Sequence, residues 1–233
     1  MEGSVIKTIG LGVISWTIKF LTARRIFSNY SFEFSKRVVS TVHAILAVTL
    51  ASLCVQDWTC PLCPVPSTSH AQIQTLAVTL SYLLYDMVCC FFGERISLDS
   101  TFHHFACVAG IVAGFYYQEC ISEMVMAFWL GEMSSPFLHL RAFLKELGYR
   151  DTAGNLAADI LFAATYTVAR TVAAYVAYVT LSTDQPPIFK VMGWGLVGVS
   201  AFRFLKIVRI VKYKLKERAA KHGRKAREES GGV

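Results

Sequence analysis

The chain has 233 residues, 54% of them hydrophobic and 17% charged, with a formal net charge of +7 and a mean hydropathy of +0.45. That balance excludes a soluble domain of ordinary makeup and describes an integral membrane protein with room for one polytopic domain. A bilayer core of about 30 Å takes about 20 helical residues to cross, so the apolar runs set the parse.

Seven runs qualify, near Val5–Leu21, Val38–Val55, Ala71–Phe92, Thr101–Tyr117, Ile121–Leu140, Leu156–Leu181 and Ile188–Val211. The expected fold is all-α, a polytopic membrane protein with seven transmembrane helices. Arg24 and Arg25 follow the first run and no small-x-small cleavage site intervenes, so it reads as a retained signal anchor. Lys36 and Arg37, Arg95, and Arg141, Lys145 and Arg150 mark alternate loops, whereas the loops around 56–70, 118–121 and 182–187 carry no Lys or Arg. By the positive-inside rule the amino terminus is outside or lumenal and the carboxyl terminus cytosolic. Asn29-Tyr30-Ser31 is a formal glycosylation sequon on the cytosolic side of that topology, where it receives no glycan.

The second run carries His43 near its cytosolic end. The external loop after it contains Cys60 and Cys63, with Cys54 and Cys120 on the same side, where an oxidising lumen permits pairing. A lone CxxC is read as structural here, since no second pair completes a four-ligand zinc site. Cys89 and Cys90 close the third run as small buried residues, with acylation as the alternative.

The third and fourth runs hold the costliest groups to bury: Asp86 among apolar neighbours, then His103 and His104 in the first turn of the next helix. A carboxylate and imidazoles inside membrane segments are by default a functional-site hypothesis. Adjacent helical residues diverge by about 100°, so the two histidines cannot both face one point. His43, His139, Asp159 and Glu132 fall near the same cytosolic level, although His139 and Asp159 could equally reach for headgroups. Pro136 predicts a kink that frees carbonyls around Glu132, which suggests a cavity wall; a purely structural kink with Ser134 and Ser135 bonding back to the helix is the alternative, and the two are compatible. Arg170, deep in the sixth run, needs a partner, and Glu132 is the candidate.

The last run ends in a basic tail suited to anionic lipid headgroups, at about 1 kcal/mol per Lys or Arg. Membrane topology accounts for this charge, and no nucleic-acid partner is expected. No metal is expected either. Di-iron hydroxylases need about eight histidine ligands and this chain has 6 histidines, with His70 external and His222 in the tail; a single metal at His103, His104 and Asp86 is the lesser alternative, for want of a fourth convergent ligand.

An acid in one span, the His103-His104 pair opening the next, Glu132-Met133-Ser134-Ser135-Pro136, and a late span with Asp159 and Arg170 together resemble the TLC domain, shared by translocating-chain-associated membrane proteins and ceramide synthases. The likeness covers residues 31–214 and is closest to the small TLC domain-containing proteins of the transmembrane-protein type. It leaves 1–30 as an amino-terminal helix with its loop and 215–233 as a basic, disordered tail. The resemblance implies a six-helix bundle around a lipid-accessible cavity, with the first helix packed outside, and an address in the endoplasmic reticulum, with Golgi and plasma membrane as alternatives.

Carried over from the synthases, His103 and His104 become nucleophile or general base and Asp86 their orienting acid, with acyl-CoA as co-substrate and no other cofactor. Glu132, Ser135, Asp159, Arg170 and His43 are the substrate-facing candidates. The chain departs from the synthase motif after the histidines, running His103-His104-Phe105-Ala106-Cys107. The expectation is therefore a lipid-binding cavity acting in sphingolipid or phospholipid homeostasis, with ceramide-synthase-type N-acyl transfer as the alternative. Membrane lipids are the expected partners, and a homo-oligomer stays open.

Overall fold

The structure is a computed structural model that describes residues 2–54, 69–92, 98–181 and 186–230. The Cys60 and Cys63 loop and Arg95 lie outside the described residues.

All the described regular structure is helical: α1 (Glu2–Ile26), α2 (Phe32–Leu53), α3 (His70–Phe92), α4 (Leu98–Tyr117), α5 (Ile121–Glu132), α6 (Ser135–Glu146), α7 (Ala153–Leu181) and α8 (Pro187–Ser230). α5 and α6 are halves of one interrupted helix. Met133 and Ser134 between them keep right-handed helical dihedrals, and helical bonds approach the break from both sides, Met133 N–H to Trp129 O and Leu138 N–H to Ser134 O. Pro136, in the first turn of α6, has no N–H to offer the Glu132 carbonyl, which is why the ladder fails there. Seven helices therefore match the seven apolar runs. Five of them, over residues 3–26, 32–53, 70–92, 153–174 and 187–213, are long and apolar enough to cross a membrane. α4 has 20 residues, about the length a crossing takes, and the fifth helix is broken at Pro136.

The backbone stays helical to Ser230, through the stretch from residue 215 expected to be disordered. Lys, Arg, Glu and Ala dominate that stretch. They are strong helix formers, and extending an existing helix avoids the nucleation penalty.

Six helices close into a ring: α2 packs on α3, α3 on α4, α4 on α8, α8 on α7, and α7 on the α5–α6 helix, which returns to α2. α1 stands outside the ring against α3 and α2. It runs parallel to α3, since Thr8 bonds Gln74, Trp16 bonds Ser81 and Phe20 meets Tyr85. α2 runs antiparallel to α3, with Cys54 near Thr75 and Ser40 bonded to Tyr82. The solvent for this fold is lipid, and the side-chain distribution follows. Ile6, Leu11, Ile14, Val88, Phe91, Phe102 and Phe105 point outward, while Ser35, Ser40, His43, Gln72, Thr79, Ser81 and Asp86 are buried. The helix ends bearing Arg24, Lys36, Arg37 and Arg141 gather at one end of the bundle, hereafter the basic end.

α1 has few buried side chains, so its seat depends on one seam. Trp16 is 3% exposed, donates its indole N–H to Ser81 Oγ at 3.1 Å, and meets the Tyr82 ring edge-on at 5.6 Å. Gly12 permits this approach, because a Cβ there would lie 2.6 Å from Ser81 Cβ. Gly12→Val should therefore push α1 off α3 and cost about 1–3 kcal/mol, as overpacking does. Thermal unfolding of the purified protein in detergent checks this; an unchanged midpoint would mean that the seam carries no stability.

Candidate functional site

The ring encloses a cavity of about 680 Å³, within the range of small-molecule sites of about 300–1,000 Å³. It runs from Cys120 and Phe189 at one end to Glu33 and Arg37 at the basic end. Met124, Phe128, Leu196 and Phe204 give it apolar walls, and Lys36, Asp86, His103, His104, Glu132 and Arg203 face it toward the middle and the basic end.

The densest polar cluster joins α2, α3 and α4. Asp86 Oδ2 lies 3.3 Å from His104 Nε2, and Asp86 Oδ1 lies 3.5 Å from Lys36 Nζ. One helical turn further along α3, Cys90 Sγ accepts from Lys36 Nζ at 3.3 Å and stands 3.8 Å from His104 Nδ1. The Asp86 side chain is 5% exposed, and those of Lys36 and His104 are 14% exposed. A buried charge is tolerated when it is paired and bonded, and here each charged group has a partner of the opposite kind.

His103 also faces the cavity. Its Nε2 lies 3.8 Å from Cys107 Sγ, and its ring centre is 5.9 Å from that of His104. The pair thus divides as helix geometry requires: His104 turns to Asp86 and Cys90, and His103 toward Cys107.

Glu132 and Ser135 flank the break between α5 and α6, line the cavity, and are within hydrogen-bonding reach of each other. Arg170 from α7 lies near enough for its charge to attract Glu132, with its guanidinium 5.2 Å from the Tyr166 ring centre. Its Nε is buried without a hydrogen-bond partner. His139 reaches the same wall.

Two expected site residues sit elsewhere. Asp159 Oδ1 lies 2.6 Å from Arg141 Nε, a pair joining α6 to α7 off the cavity wall. His43 is 1% exposed and stacks face to face on Tyr82 at 3.7 Å, with Trp16 edge-on at 5.8 Å. It packs where α1, α2 and α3 meet. Of the cysteines expected on the external side, Cys54 holds a free thiol near Thr75 Oγ1. Cys120 adopts a left-handed backbone, with φ of 58°, and burial, then Glu123 and Glu119, pushes its thiol up to about 12. It is a neutral group at the end of the cavity away from the basic end.

Sequence reasoning gave Lys36 no place in the site, counting it only as a topology marker, and read Cys90 as small and buried, with acylation as the alternative. A signal for Cys90 was present. It follows Asp86 by four residues, the spacing that puts two side chains on one helix face.

The donor atoms of Asp86, Cys90 and His104 lie within 4.8 Å of one another and could hold a metal ion. Lys36 Nζ, 3.5 Å from the carboxylate and 3.3 Å from the sulfur, already stands where that positive charge would go. Chemically the cluster suits proton transfer and nucleophilic attack better than metal binding: an imidazole held by a carboxylate, a thiol beside it and a fixed cation.

Removing one member of a buried charge pair leaves the other uncompensated, at a cost of about 3–5 kcal/mol. Lys36→Met should destabilise the protein by that order, and adding Asp86→Leu should recover much of the loss. A double-mutant cycle on unfolding free energies checks it; strictly additive losses would show that Lys36 and Asp86 are not coupled.

Compared with known protein families, residues 33–209 match the TLC domain (TRAM/LAG1/CLN8). No solved structure matches the chain.

Proposed function

This chain belongs to the TLC domain family, and from that premise we propose that it takes a membrane lipid into its cavity and acts in membrane-lipid homeostasis, on sphingolipids or phospholipids. The observation that carries the proposal is the cavity itself. Its apolar length suits an acyl chain, and Lys36, Asp86, His104 and the unpartnered Nε of Arg170 suit the polar part of the same molecule. In this reading the basic end is cytosolic, the amino terminus is lumenal, and the membrane is that of the endoplasmic reticulum.

A second reading is acyl-CoA-dependent N-acyl transfer of the ceramide-synthase type. The contact of His104 with Asp86 favours it, since a carboxylate on one ring nitrogen fixes the tautomer and leaves the other nitrogen to act as base.

Cavity occupancy can be tested without assuming chemistry. Gly110 lines the cavity and a Cβ there would meet nothing within 4 Å, so Gly110→Phe can fill the space with little strain. It should leave the unfolding midpoint equal or higher, because glycine in a helix costs about 1 kcal/mol, while co-purifying lipid, read by native mass spectrometry, falls severalfold. Undiminished lipid in a folded variant would remove the cavity as the lipid site.

Lipid profiles of cells lacking the protein separate the two readings. Re-expressed at matched membrane abundance, wild type should restore the altered lipid class. Failure to restore it by His103→Ala and His104→Ala variants that fold and still co-purify with lipid would support acyl transfer, and full rescue by both would leave lipid binding alone.

A further inference from the structure

Cys90 is the nucleophilic side chain that the reading above leaves without a role. Its Sγ stands 3.8 Å from His104 Nδ1, and the other nitrogen of the same ring stands 3.3 Å from Asp86 Oδ2. A nucleophile, a base and an orienting acid in series make up the catalytic triad, which is recognised by geometry and roles and not by chain order. The nucleophile-to-base contact in such sites is often loose before substrate binds. The i and i+4 spacing on α3 stacks acid and thiol on one face, and α4 inserts the imidazole between them. Cys90, half-buried, lies one turn nearer the basic end than Asp86, in contact with Lys36 and His104, which line the cavity together with Arg37 and Arg203.

We propose that Cys90, His104 and Asp86 form a thiol triad in which Cys90 Sγ takes an acyl group from a long-chain acyl thioester and holds it as a protein thioester. This rests on the reading that the cavity accepts an acyl chain. Asp86 accepts the Nε2–H of His104, so Nδ1 presents a lone pair to the Cys90 thiol and takes its proton. Sγ attacks the carbonyl carbon of the donor, and the Lys36 ammonium, 3.3 Å from Sγ, lies beside the oxyanion that forms. Collapse breaks the donor's carbon–sulfur bond, and the departing thiolate takes back the proton from His104. One thioester replaces another, with no change in oxidation state. The chain lies in the cavity, and the polyanionic handle of a donor such as acyl-CoA stays with the arginines at the basic end.

The test uses the purified full-length protein in nanodiscs, incubated with palmitoyl-CoA and read by intact-protein and peptide mass spectrometry. The expected result is one added acyl group on Cys90, released by neutral hydroxylamine as a thioester is. Cys90→Ala should abolish it, His104→Gln should slow it at least tenfold, and Cys89→Ala should leave it unchanged. Cys90→Ser keeps the size and polarity of the site, so if it acylates at all its product should resist neutral hydroxylamine. Thermal unfolding of each variant screens out misfolding.

Acylation that shifts to Cys89, or that proceeds at the same rate in folded His104→Gln, would reduce Cys90 to a thiol reacting by exposure alone and overturn the triad. No acylation of wild type that still co-purifies with lipid would overturn the triad and leave the cavity reading standing. Wild type that neither acylates nor retains lipid would bring down both.

Discussion

The Asp86 carboxylate is the group around which the bundle is arranged. In a medium that cannot solvate it, a carboxylate must find a counter-charge and a hydrogen-bond donor within the fold, and these come from two other helices, Lys36 of α2 and His104 of α4. One atom cluster therefore sets the relative height of three consecutive helices. Sliding any of them by one turn, about 5.4 Å, would break the pairing and strand a charge. Hydrophobic matching alone cannot impose such a register, because lipid tails and leucine side chains are equally apolar.

Away from that cluster the interior is held by smaller polar links. Tyr82 bonds Ser40, Trp129 bonds Ser52, Ser122 reaches Gln72, and Tyr166 bonds the Ser200 carbonyl. Each ties two helices, and each is short-ranged enough to favour one rotation of a helix about its axis. The cavity is the space these ties leave open. Its walls turn polar where Asp86 needs partners and where the Pro136 break interrupts the ladder of the fifth helix.

Much of this was legible in the chain. Helix number and order follow from apolar runs and the Lys and Arg spacing, and the break at Glu132 follows from Pro136, because both are local properties of the backbone and its solvent. Asp86, His103 and His104 stood out for the cost of burying them. The same signal drew in Asp159 and His43, and it could not separate their settings: Asp159 meets Arg141 between helices, and His43 fills an aromatic stack with Trp16 and Tyr82. Depth along a helix is readable from residue number, but which face looks inward depends on the packing of all the neighbours. Lys36 was hidden for the opposite reason, since a lysine near a helix start carries no local anomaly, and Cys90 offered only its four-residue spacing from Asp86.

The placement of α1 bears on how the chain is assembled. Its seat on the ring is made by Trp16 and Gly12 against Ser81 and Tyr82 of α3, residues synthesised after the whole of α2. During translation α1 therefore enters the membrane with its docking partner not yet made, and the α1–α2 hairpin must wait in lipid, or against the insertion machinery, until α3 emerges. The Trp16 contact then follows the emergence of the third helix. A defect at Gly12 would be felt as retention of half-assembled chains before it was felt as lost activity.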